Sequence, residues 1–110
     1  MSLLDKVAIV TGSSKGIGFE IAKEFSERGA TVIVCSLNPD QSKKAATRIG
    51  GTVLALEVDV ANESSVTEFI KIILNRFQKI DILVNNAGYR YYDTIWNKKN
   101  ALGVTLCEYV

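Results

Sequence analysis

Gly12, Gly16 and Gly18 follow directly on the apolar run Val7-Ala8-Ile9-Val10, and a helix-patterned stretch comes straight after them. Glycines at that spacing, between a buried strand and a helix, suit the cradling of a dianionic group such as a pyrophosphate. The backbone turns tightly, the helix starts with N–H groups that have no carbonyl partner, and its macrodipole adds partial positive charge. A side chain at any of the three would obstruct the turn, the ligand's approach, or the seating of helix on strand. Nucleotide binding is the first expectation. Groups for proton transfer are sparser. The chain has no histidine, which removes the commonest metal ligand and the commonest general base, and no metal site is expected. Cys35 and Cys107 are far apart and form no Cys-x-x-Cys pair. Two reduced thiols in a cytoplasmic protein are expected, not a disulfide framework.

The bulk properties leave room for one small domain and exclude several partner classes. At 110 residues there is one core to build, and 47% apolar with 23% charged residues is ordinary for a globular chain. A net charge of +1 gives no broad attraction for nucleic acid or an anionic membrane. No apolar run approaches the ~20 residues of a bilayer span. Met1-Ser2-Leu3-Leu4-Asp5-Lys6 turns charged before a signal-peptide core could form.

Apolar strand-like runs alternate with helix-patterned stretches. Strands are expected at Val7–Thr11, Thr31–Ser36, 52–58 and 81–85, rich in Val, Ile and Leu with little polar alternation, as suits parallel strands covered on both faces. In the first helix Ile17, Ile21, Ala22 and Phe25 fall on one face, and Arg28-Gly29 closes it. The second, about 40–49, begins beside Pro39 and ends at Gly50-Gly51. In the third, Val66, Phe69, Ile70, Ile73, Leu74 and Phe77 make one stripe, with Asn62 as N-cap and Glu63 in the first turn. Short links between alternating strands and helices predict right-handed crossovers. The expected fold is α/β: a three-layer, Rossmann-like parallel sheet of order 3-2-1-4. After Gly88 the pattern dissolves, and 103–110 reads equally as helix or strand.

Thr11-Gly12-Ser13-Ser14-Lys15-Gly16-Ile17-Gly18 matches TGxxxGxG, Asp59-Val60 closes the third strand, and Asn85-Asn86-Ala87-Gly88 closes the fourth. On these three motifs the chain resembles the short-chain dehydrogenase/reductase family over residues 5–88. The resemblance implies a single NAD(P)-binding domain over 1–110, truncated before the family's later strands, with a divergent tail at 89–110. It places Gly12, Ser14, Gly16, Ile17 and Gly18 around the pyrophosphate and adjoining ribose, and Asp59 and Val60 at the adenine. Asn86, Ala87 and Gly88 would run beside the nicotinamide ribose. For Asn85 the alternative is a sheet-bracing amide. The P-loop spacing is excluded, because the fifth residue after Gly12 is Ile17 and no Lys-Ser/Thr follows.

The choice of dinucleotide falls to the end of the second strand. An acidic residue there would accept from the ribose hydroxyls and repel a 2′-phosphate. Cys35-Ser36-Leu37-Asn38 has none, and Lys15 adds a cation in the glycine loop. NADP(H) is favoured over NAD(H), with Lys15, Ser36 and Leu37 at the deciding positions, although many NADP users of the family have Arg where Leu37 stands. The family's chemistry uses a tyrosine whose pKa is lowered by a lysine four residues on, with a serine upstream. Here the residues four after Tyr89, Tyr91 and Tyr92 are Asp93, Ile95 and Trp96, and Tyr109 has none. Asn100, in Asn100-Ala101-Leu102-Gly103-Val104, matches the family asparagine that holds a relay water, and a helix-surface amide is its other reading.

Two functions remain open. One is the NADP(H)-binding half of an alcohol/ketone oxidoreductase, inactive by itself. The other is a non-catalytic dinucleotide-binding or oligomerisation module. In either case Ile82, Leu83 and Val84 are expected on an unpaired edge, so that the chain self-associates through the fourth strand or the tail.

Overall fold

The computed structural model describes residues 2–84 and the backbone of 107–109. The elements run β1 (Val7–Thr11), α1 (Gly16–Glu27), β2 (Thr31–Ser36), α2 (Pro39–Ile49), β3 (Val53–Glu57), α3 (Glu63–Phe77), β4 (Ile82–Val84) and β5 (Cys107–Tyr109). The sheet order is β3-β2-β1-β4-β5, and every neighbouring pair is parallel.

Strand side chains alternate between two cores, as a period of two requires. Ala8, Val10, Val32, Val34, Ile82 and Val84 face α1 and α2, meeting Phe19, Ala22 and Ala45. Val7, Ile9, Ile33, Cys35 and Leu83 face α3, meeting Val66, Phe69, Ile70 and Ile73. The result is three layers, and the all-apolar β1 is buried along its whole length. Leu74 and Phe77 extend the α3 stripe as partly buried contacts.

Two helices begin at side-chain caps. Asn38 Oδ1 accepts from the N–H groups of Asp40 (3.0 Å) and Gln41 (3.2 Å), with Pro39 in the first turn of α2. Asn62 Oδ1 accepts from Ser65 N–H at 3.1 Å, which opens α3. At the opposite end of the sheet, Asp81 Oδ2 accepts from Val7 N–H at 2.8 Å and lies 3.1 Å from Lys79 Nζ, pinning the starts of β1 and β4 together.

Two expectations are corrected. Ile17 is 74% exposed and does not join the core face of α1. The helix meets the sheet along Gly18, Phe19 and Ala22 instead, because Gly18 has no side chain to hold the helix off the strands. Nor is β4 an unpaired edge. It lies between β1 and β5, with Ile82, Leu83 and Val84 paired to Cys107, Glu108 and Tyr109. The patternless tail supplies a fifth strand, and the sheet edge moves outward to it. Asn85, expected in the fourth strand, lies outside the described residues.

Candidate functional site

A cleft of roughly 740 Å³ opens at the carboxyl ends of β1, β2 and β3. Ligands of doubly wound sheets bind at this end, where the strand order reverses around β1. One wall is Gly12, Ser14, Lys15 and Gly16; the second is Ser36, Leu37, Asn38 and Gln41; the third is Val58, Asp59, Val60 and Ala61.

The first wall is built for an anion. Gly12 and Gly16 have φ of 62° and 64°, a left-handed conformation that glycine adopts without strain. A Cβ added to Gly16 would meet nothing within 4 Å, so the backbone angle, and not crowding within the protein, demands glycine there. Lys15 sits at the N-cap of α1 in extended conformation and makes no side-chain cap, and the first turn holds no acidic residue. The first-turn amides of α1 are therefore left for solvent or a ligand. Ser14, half-buried, stands beside them. Gly18 is on the buried face of α1, and the Ile17 side chain lies on its outer flank, away from the cleft. Only the main chain of Ile17 can serve the cradle.

Buried hydroxyls fasten this loop. Thr11 Oγ1 donates to Val84 O at 3.2 Å, tying β1 to β4 at the cleft. Ser13, wholly buried, donates to Val10 O at 2.6 Å and accepts from Cys35 N–H at 3.0 Å. Burial pushes the Cys35 thiol from its ordinary 9.0 up to about 12, with the Gly12 backbone pulling weakly the other way. The thiol is neutral and inert at physiological pH.

The second wall carries less free polarity than its sequence suggests. Ser36 Oγ donates to Asn38 O (2.9 Å), accepts from Asn38 N–H (3.2 Å) and contacts Ser42 Oγ at 2.7 Å. Its hydroxyl is spent on holding the β2–α2 turn. Leu37 is 67% exposed at the rim. Asn38 and Gln41, two residues that motif matching missed, bring the start of α2 to the same cleft, where Asn38 caps it and Asp40 lies in its first turn. The Asn38-Pro39 pair, a cap signal, could have located them.

On the third wall Asp59 is half-buried and braced. Its N–H donates to Ser65 Oγ at 2.9 Å, and its Oδ1 accepts from Ala61 N–H at 3.0 Å. That leaves Oδ2 for a donor in the cleft. Asn86, Ala87, Gly88 and Asn100 lie outside the described residues. Among the described residues no group of His, Cys, Asp and Glu could hold a metal ion, and no helix is long and apolar enough to cross a membrane.

A parallel α/β sheet with a glycine loop feeding an open helix start defines a dinucleotide-binding class of protein. The family model described as short chain dehydrogenase matches residues 6–102, and the chain belongs to this family, whose members bind a nicotinamide dinucleotide. It is 44% identical over 89 residues to the "Uncharacterized oxidoreductase YxjF" of Bacillus subtilis, covering 78% of this chain and 35% of that protein. It is 42% identical over 91 residues to the 3-oxoacyl-[acyl-carrier-protein] reductase FabG of Chlamydia pneumoniae, covering 80% and 37%. The solved "Pseudomonas aeruginosa RhlG/NADP active-site complex" matches with a TM-score of 0.83 at 28% identity, covering 88% of this chain and 46% of that one. The chain thus spans about a third of the length of these curated relatives.

Proposed function

We propose that the chain is the NADP(H)-binding half of a short-chain oxidoreductase that interconverts a secondary alcohol and a ketone by hydride transfer. The observation that carries the reading is the uncapped start of α1, opening onto the cleft at the strand ends. The amides of 14–18 and the Ser14 hydroxyl bind the pyrophosphate where Gly12 lets the chain approach, and Asp59 and Val60 meet the adenine. When bound, the cofactor supplies the hydride. This chain's residues hold and orient it, with Asn86, Ala87 and Gly88 assigned to the nicotinamide ribose and Asn100 to the relay water.

The preference for NADP(H) rests on charge. The β2 side of the cleft lining has no carboxylate to repel a 2′-phosphate, and Lys15 is a cation on the same cleft; the start of α2 is neutralised by its Asn38 cap and by Asp40 in its first turn. Ser36 contributes through the shape of the turn, since its hydroxyl is engaged. Leu37 caps the rim with apolar surface. Calorimetric titration with NADPH and with NADH tests both parts. Tighter NADPH binding is expected, equal affinities contradict the preference, and no heat from either contradicts the site.

By itself the chain binds without turnover, because no tyrosine in it has a lysine four residues on. That same feature favours the second reading, a non-catalytic dinucleotide-binding module that self-associates through the tail beside β5. Ketone-dependent oxidation of NADPH by the purified chain would contradict inertness. A stable monomer in sedimentation would contradict self-association. A cytoplasmic setting belongs to this reading, in which Cys35 stays a buried free thiol.

A further inference from the structure

We propose that Ser13 is a positioning residue that sets the distance between the two ends of the cofactor cleft, a role that rests on the dinucleotide reading above. The β1–β2 ladder ends at the pair Thr11 and Cys35. Beyond it Gly12 turns away at φ 62°, where regular strand pairing stops. Ser13 then holds Cys35 at two points. Its N–H donates to Cys35 O at 3.2 Å, and its Oγ accepts from Cys35 N–H at 3.0 Å. The same Oγ donates to Val10 O at 2.6 Å, which folds the loop back on its own strand. Ser13 is 0% exposed and does not line the cleft. It lies between Gly12 and Ser14, which do, and it grips the residue just before Ser36, Leu37 and Asn38, which also do.

One hydroxyl therefore joins the phosphate cradle to the β2 rim. A methyl in its place leaves the buried Cys35 N–H without its side-chain acceptor and frees the loop from Val10. The two walls then lose their fixed separation. A ligand held both by its pyrophosphate in the cradle and by its adenosine end feels that loss most, and a ligand without the pyrophosphate feels it least.

The test compares NADPH, whose pyrophosphate fills the glycine cradle while its adenosine end lies on the β2 and β3 walls, with adenosine 2′-monophosphate, which has no pyrophosphate, on the 110-residue chain and its variants. Ser13→Ala is expected to weaken NADPH about tenfold and adenosine 2′-monophosphate less than about twofold. Ser13→Cys keeps a hydrogen-bonding atom at the position, bulkier than the hydroxyl and a weaker donor and acceptor, and is expected to weaken NADPH about threefold with the same selectivity; it carries the comparison if the alanine variant does not fold. Equal weakening of both ligands, or unchanged NADPH binding, overturns the role of Ser13 and leaves the cofactor reading standing. An unaltered chain that binds neither ligand overturns the cofactor reading, and this inference with it.

Discussion

The starts of α1 and α3 do the same topological job and are finished in opposite ways. Each receives the chain from the carboxyl end of a parallel strand. At α3, Asn62 accepts from Ser65 N–H, Glu63 lies in the first turn, and Asp59 braces the approach through Ala61. At α1, Lys15 offers no cap and no acidic residue follows. A cap contributes about 1 kcal/mol, so leaving one out costs stability, which a bound anion can restore. The contrast teaches where the ligand belongs: at the helix start that the protein does not complete for itself.

The largest effect expected is that of Gly16→Val. A β-branched residue at φ 64° is strained by about 1–3 kcal/mol, and its side chain enters the open space of the cradle. Dinucleotide affinity should fall more than about a hundredfold while the chain stays folded by circular dichroism; retained affinity would break the contrast. Lys15→Asp converts the open start into one resembling that of α3. It should raise stability by about 0.5–1 kcal/mol in thermal unfolding and weaken NADPH by about tenfold or more. Those opposite signs are the sharpest feature of the comparison. Asn62→Ala should cost about 1 kcal/mol of stability and leave NADPH affinity unchanged.

The smallest effect concerns Cys35. Its folded pKa, about 12, lies above the ordinary 9.0. The protonated thiol therefore supports the fold fully below pH 9, and that support is lost as pH rises toward 12. The loss stays below about 1 kcal/mol by about pH 9.5. In denaturant unfolding, Cys35→Ala should flatten this alkaline limb, whatever it costs in packing at neutral pH. An unchanged slope would show that the thiol does not titrate with unfolding.

Legibility followed how local each determinant is. β1 and β2 were readable to the residue, because Val7–Thr11 and Thr31–Ser36 are apolar on both faces of a buried sheet. The α3 stripe and the Asn62 cap were readable from spacing alone. Ile17 was misassigned because periodicity weighs the apolar side chain and ignores Gly18, whose missing side chain sets the contact line. β5 gave no signal, since a three-residue strand takes its order from pairing with β4 and not from its own pattern. In the candidate site, the glycine loop and Asp59 were evident from motif spacing. The engagement of the Ser36 hydroxyl and the clamp made by Ser13 were not, because both are hydrogen bonds between segments that periodicity cannot see.

The central claim is tested most directly by following backbone amide resonances of the 110-residue chain as NADPH is added. The account predicts the largest shifts at residues 12–18, smaller ones at 36–41, and little change at 62–65. Saturating shifts centred on the start of α3, or unmoved amides at 12–18 in millimolar NADPH, would contradict it.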